Sequence, residues 1–171
     1  MNARMKSRLP NPLYEESPLP LTSLSQFNLN AAQGQATLNK YRFGVDTIKG
    51  TNIVVVRLIG AMPSTLFVDR LFDFYRKIGK PWLYKRLFDF RKFDGFIDYS
   101  DIEHLARKWA YLTRNESYSS KVAFVSHTVL DRVRVSTIAP LFPSDILRAF
   151  PAIDLALDWL NEQQSLTSGI D

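Results

Sequence analysis

Lys85 to Leu112, KRLFDFRKFDGFIDYSDIEHLARKWAYL, is the stretch whose reading decides the fold. Its first half is apolar and aromatic, as a buried strand requires, and Leu87, Phe88 and Phe90 supply the buried area. Asp94-Gly95 then reads as a tight turn. Ser100-Asp101-Ile102-Glu103 matches a capping box, in which the Ser100 hydroxyl accepts from first-turn amides while Glu103 reaches back. Ile102, Leu105, Ala106, Trp109 and Leu112 follow at helical spacing. The stretch is one strand-to-helix unit. It holds no nucleophile with a base, no metal-ligand spacing and no phosphate loop.

The same grammar extends to both sides. Tyr41, Phe43 and Val45 alternate with polar residues or Gly, predicting a half-buried strand. Lys49 to Asn52 supply a turn, and Ile53 to Ile59 (IVVVRLI) reads as a strand covered on both faces, so the two form an antiparallel hairpin. Ser64 or Thr65 is placed to cap a helix with Phe67, Leu71, Phe74 and Ile78 on its core face, widened by Val68, Phe72 and Tyr75. Gly79 suits its end and Pro81 blocks continuation. The third strand is predicted over Leu83 to Phe90. Lys121 to Ser126 reads as a fourth strand, followed by a helix from Thr128 to Ile138 in which Val129, Val133 and Val135 have modest propensity. Ile146 to Phe150 is a short fifth strand. Pro151 is placed as the first residue of a last helix that buries Ile153, Ala156, Leu157 and Leu160. The order ββαβαβαβα predicts a single α/β domain over residues 41–163, with a mixed five-stranded sheet and helices packed on it. Residues 1–40, with Pro10, Pro12, Pro18 and Pro20, are expected to form a flexible extension, and residues 164–171 a polar tail.

Composition narrows the class. The 171 residues are 46% hydrophobic, enough for a packed core, and no apolar run approaches the roughly 18–20 residues of a membrane span. The early basic residues have no apolar segment behind them, so no secretory signal is expected. With no cysteine in the chain, disulfides, thiolate metal sites and Cys nucleophiles are excluded, and a cytoplasmic location is expected. The net charge of +5 divides into +2 for residues 1–40 (four Lys/Arg, two Asp/Glu) and +3 for the rest (18 against 15). That near balance disfavours nucleic acid as a partner. The densest basic run, Arg76, Lys77, Lys80, Lys85, Arg86, Arg91 and Lys92, is either a solvated face or a contact for an anionic membrane.

Candidate chemistry is sparse. The loops after the strands contain neither GxGxxG nor GxxxxGK[ST]. Asp89 lies at a strand end, but the second strand ends in Gly60-Ala61-Met62, without the acids that a Mg²⁺-dependent phosphoacceptor needs. Ser126 and His127 are adjacent on an extended backbone and point opposite ways, so they are poorly placed as nucleophile and base. Asp94, Asp98, Asp101 and Glu103 lack metal-loop spacing, and no metal or cofactor is expected. Phe93, Phe96 and Tyr99, beside Arg91 and Lys92, are more aromatic than a turn requires. They line an apolar groove, anchor a partner or close the end of the core, and these five residues are the candidate contacts.

LFDFRKFDGFIDYSDIEHLARKW (Leu87–Trp109) resembles the strand, turn and capped helix of the SpoIIAA-like branch of the STAS-like fold. KVAFVS (Lys121–Ser126) is similar to that family's fourth strand, and ILRAFPAIDLALDWL (Ile146–Leu160) to its closing strand and helix. The resemblance covers about Tyr41 to Leu160. It implies a non-enzymatic domain related to anti-sigma-factor antagonists and, more distantly, to CRAL-TRIO lipid-transfer domains. Such antagonists carry a phosphorylatable Ser in a D-S-S-G-like loop. Here the loop is FDGFIDYSD (Phe93–Asp101), which departs from that pattern and leaves Ser100 as the one residue to test for phosphorylation. The expected function is a regulatory or binding module for a protein partner or a small apolar or anionic ligand, with self-association left open. The alternatives are a peripheral binder of anionic membrane or nucleic acid and, furthest from the sequence, an unrecognised enzyme.

Overall fold

The computed structural model describes residues 41–162; the expectations for 1–40, for residue 163 and for the tail lie outside them. Strand β1 (Arg42–Thr47) pairs antiparallel with β2 (Ile53–Gly60), and β3 (Lys85–Phe93), β4 (Ser120–Val125) and β5 (Asp145–Phe150) follow in parallel, in the order β1-β2-β3-β4-β5. Helices α1 (Ser64–Ile78), α2 (Tyr99–Leu112), α3 (Val129–Ile138) and α4 (Ile153–Asn161) connect or follow the parallel strands. The mixed α/β sheet expected from the residue order is the observed one.

Alternation along the strands builds two cores. Val54, Val56, Phe88 and Val122 face α1 and α2, where Phe67, Val68, Leu71, Phe74 and Trp109 meet them. Ile53, Val55, Leu87, Ala123 and Val125 face the other way, onto Ala156, Trp159 and Leu160 of α4. This is why β2 reads as a continuous apolar run: both of its faces are covered. Lys85 Nζ donates to the Leu160 carbonyl at 2.5 Å and Lys121 Nζ to the Trp159 carbonyl at 2.7 Å. Two lysines thus answer carbonyls at the C-terminus of α4, where the helix dipole favours cations.

Several local expectations are corrected. Strand β3 starts later and ends later than its hydrophobicity suggests. Pro81 opens a short 3-10 turn over Pro81–Leu83, leaving Leu83 exposed. At the far end Arg57 pairs with Asp89 but Ile59 with Lys92, so β3 carries one extra residue against β2. That bulge switches which face successive side chains take and extends the strand through Arg91, Lys92 and Phe93. Gly95 makes a bend without the positive φ of a glycine turn. It is glycine because a Cβ would lie 2.6 Å from Phe93 Cε2. Asp98, not Ser100, is the N-cap of α2, with no side-chain cap bond; Ser100 lies inside the first turn and is exposed. Pro63 precedes α1, so Ser64 is already helical, and its buried hydroxyl accepts from the Asp98 amide at 3.0 Å. Pro151 stands before the Ala152 N-cap, and α4 starts at Ile153.

Candidate functional site

Up to the bulge in β3, the face turned toward α2 and α3 is written by alternation: Arg86, Phe88 and Phe90 on β3, Val122 and Phe124 on β4, Asp145, Leu147 and Ala149 on β5. Helices α1 and α2 pack on each other, whereas α3 rests chiefly on β5. The space between α2 and α3 is a partly open cavity of about 120 Å³. Leu105 and Trp109 of α2 and Val135 and Ile138 of α3 form its walls, and its lining is overwhelmingly apolar.

One end of the cavity is polar and buried. Arg86 Nη2 lies 2.5 Å from Asp145 Oδ1, with the side chains 5% and 1% exposed. The guanidinium also stacks over the Trp109 ring, 4.4 Å from its centroid. Trp109 Nε1 in turn donates to the Tyr118 hydroxyl at 2.7 Å. Burial pushes the Tyr75 phenol up, against the opposing pull of Arg86. Burial would lower Arg86, but Tyr75 and Asp145 together outweigh it and hold its pKa above the ordinary value. Burial pushes the Asp145 carboxyl up, and the attraction of Arg86 only partly offsets it. Arg86 Nε is buried and has no hydrogen-bond partner among the described residues.

The other end lies at the carboxyl ends of the strands and is tied off by α3. The Ser126 hydroxyl donates to Asp131 Oδ2 at 2.8 Å, and Arg132 donates to the carbonyls of Ser126 and His127 at 3.0 and 3.1 Å. Thr128 caps α3 by accepting from the Asp131 amide. Ser126 therefore faces a carboxylate, and His127 is exposed. Arg134 lies over the Phe96 ring at 4.4 Å.

Of the five candidate contacts, Phe93 and Phe96 line the cavity, and Arg91, Lys92 and Tyr99 stand elsewhere. Phe93 turns inward because of the bulge, and Phe96 remains half exposed at the rim. Tyr99 is 48% exposed at the start of α2, and Lys92 is exposed on β3. Arg91 grips Asp89 in bidentate fashion, at 2.9 and 3.0 Å. The basic run does not gather on one surface: Arg86 is in the core, Lys85 serves α4, Arg91 holds Asp89 and Arg76 pairs with Asp73. Among the described residues no three His, Cys, Asp or Glu side chains are grouped to hold a metal ion. No helix among them is long and apolar enough to cross a membrane.

Arg86, Asp145, Tyr75 and Trp109 were missed as a site. The available signal was Arg86 itself, a charge in a position whose alternation partners, Phe88 and Phe90, are aromatic.

No protein-family profile matches this chain, and no curated protein matches it in sequence. Among solved structures it is similar to an uncharacterised protein from the DUF3478 family with a SpoIIAA-like fold, from Shewanella loihica PV-4. The likeness has a TM-score of 0.50 at 17% identity and spans 75% of this chain and 99% of that one. The fold is therefore SpoIIAA-like, as the sequence resemblance implied. At this identity the likeness establishes architecture alone.

Proposed function

We propose that the chain is a non-enzymatic binding module whose cavity between α2 and α3 takes a small, mainly apolar ligand. The observation that carries this reading is the cavity itself: about 120 Å³ of space lined by Phe88, Phe90, Phe93 and Phe124, within a sheet whose other face is closely covered by α4. A concave, mostly apolar recess with a few polar groups at one end is the usual form of a small-molecule site. An engineered cavity of about 150 Å³ suffices for benzene, which sets the scale at one ring or a short branched chain. The absence of catalysis is supported by the engagement of Ser126 with Asp131 and of Asp89 with Arg91.

Ligand-observed NMR with isopropylbenzene tests the reading. Binding is expected with the full chain and is expected to vanish in Ala149→Leu, which adds a side chain to the cavity floor. Binding that survives this substitution, or no binding to the unaltered chain, defeats it.

A protein partner is the second reading, and its supporting observation is on α3. Val129, Leu130 and Val133 are 66%, 62% and 57% exposed, an apolar face on a helix that otherwise rests on the sheet. Leu130→Asp is expected to abolish capture of such a partner while leaving isopropylbenzene binding intact.

A further inference from the structure

Arg86 stands at the polar end of the cavity. A guanidinium presents five N–H donors, and a buried one is normally answered throughout. Here Asp145 takes one edge, the Tyr75 hydroxyl approaches the guanidinium and Trp109 covers a face, yet Nε, deep in the protein, meets no acceptor among the described residues. Packing alone does not call for this arrangement, because apolar side chains of similar volume usually serve a core as well as a buried ion pair does. Arg86 lines the cavity, but Nε itself has less than 1 Å² of accessible surface, so an acceptor reaches it as the side chains around it shift.

We propose that the cavity recognises an uncharged, ring-sized ligand through one hydrogen-bond acceptor, a ketone, ester or ether oxygen, placed on Arg86 Nε. This rests on the reading of the cavity as a ligand site and adds the class of ligand. Charge decides between an uncharged acceptor and a carboxylate. Arg86 is already neutralised by Asp145 at 2.5 Å, so a carboxylate would bring an uncompensated negative charge beside Asp145 where little water can reach. A neutral oxygen answers the donor without that cost. The remainder of the ligand meets Phe88, Phe90 and Phe124, whose rings favour an aromatic or compact apolar body.

Three probes with the same number of non-hydrogen atoms separate the contributions: acetophenone carries the acceptor, isopropylbenzene lacks it, and benzoate adds charge. In calorimetric or NMR titrations of the full chain near neutral pH, acetophenone is expected to bind about tenfold or more tightly than isopropylbenzene, the effect of one hydrogen bond to a charged donor. Benzoate is expected to be the weakest. Acetophenone should also shift the Arg86 Nε–H resonance, a readout that needs no variant. In Arg86→Lys the ammonium keeps a cation for Asp145 but offers no N–H at the Nε position, so the preference for acetophenone should disappear. Equal binding of acetophenone and isopropylbenzene to the unaltered chain overturns the acceptor and leaves the cavity standing. Tightest binding by benzoate overturns the charge argument. No binding by any of the three overturns the cavity reading itself.

Discussion

The Arg86 guanidinium reaches over β4 to the Asp145 carboxylate, joining β3 to β5 although the two strands are not neighbours. Strands lie about 4.8 Å apart, so the link spans roughly 10 Å of sheet and crosses β4 on the diagonal between Val122, paired with Arg86, and Ser120, paired with Asp145. Only a long side chain with a planar fork makes that crossing and still meets a carboxylate squarely. Tyr75 from α1 and Trp109 from α2 converge on the same guanidinium. One ion pair therefore organises two helices and three strands around the polar end of the cavity.

Removing one partner should be far worse than removing both. Asp145→Asn leaves the Arg86 charge buried without its counterion, and a loss of about 3–5 kcal/mol in unfolding free energy is expected from urea denaturation. The double substitution Arg86→Met/Asp145→Leu should recover most of that loss, since it removes both charges from the core. A single-variant cost below about 1 kcal/mol would place the pair in solvent-like surroundings and contradict its burial.

Two serines near α2 separate the observed geometry from the one the sequence suggests. Ser64 is buried and its hydroxyl holds the Asp98 amide at the entry to α2. Ser64→Ala should cost about 1–3 kcal/mol by leaving that amide unanswered. Ser100 is exposed and is not the cap, so Ser100→Ala should stay within about 0.5 kcal/mol. Paired thermal or urea unfolding of the two variants decides between them, and the reverse ranking would restore the capping box.

These contrasts mark where the sequence is legible. Hydrophobic period identified the five β-strands and four α-helices of the described residues, most plainly in β2, apolar throughout, and on the core face of α1, spaced as a helix requires. The bulge in β3 was hidden: one extra residue between Asp89 and Lys92 leaves the apolar run unchanged but decides that Phe93 enters the cavity. The Arg86–Asp145 pair was hidden for another reason. Its members are 59 positions apart, and only the β3-β4-β5 order brings them together. Read along the chain, Arg86 merged with a basic run. Phe93 and Phe96 were visible because three aromatics in a short connection stand out by composition alone, but composition does not say which of them turn inward.

Gly95 should be intolerant of even one methyl group. Its added Cβ would meet the Phe93 ring at 2.6 and 2.7 Å and the Met62 carbonyl oxygen at 3.3 Å, and the backbone oxygen is the harder of the two to displace. Gly95→Ala is expected to cost about 1–3 kcal/mol through overpacking and, by moving the Phe93 ring, to weaken isopropylbenzene binding. Combining it with Phe93→Leu should restore part of the stability, because the smaller side chain leaves room for the methyl. Thermal unfolding of the single and double variants tests this, and additive losses would mean that the ring is not what Gly95 accommodates.

Asp89 supplies the pH signature. Burial alone would raise its carboxyl pKa, but the guanidinium and amide of Arg91 outweigh that and hold it below the ordinary value near 3.8. A carboxyl depressed in the folded state binds its proton more readily when unfolded, so its contribution is present above the unfolded value and is lost as pH falls through the folded one. Arg91→Gln removes the depressing partner. The variant should be less stable than the parent at neutral pH, and the gap should narrow in acid, where Asp89 is protonated in both proteins. Added salt should narrow it as well, since Arg91 is partly exposed and its charge is screened. Urea denaturation of both proteins between about pH 2 and pH 7 measures the gap directly. If the gap is the same across that range, Arg91 supports the strand by packing rather than by holding the Asp89 charge.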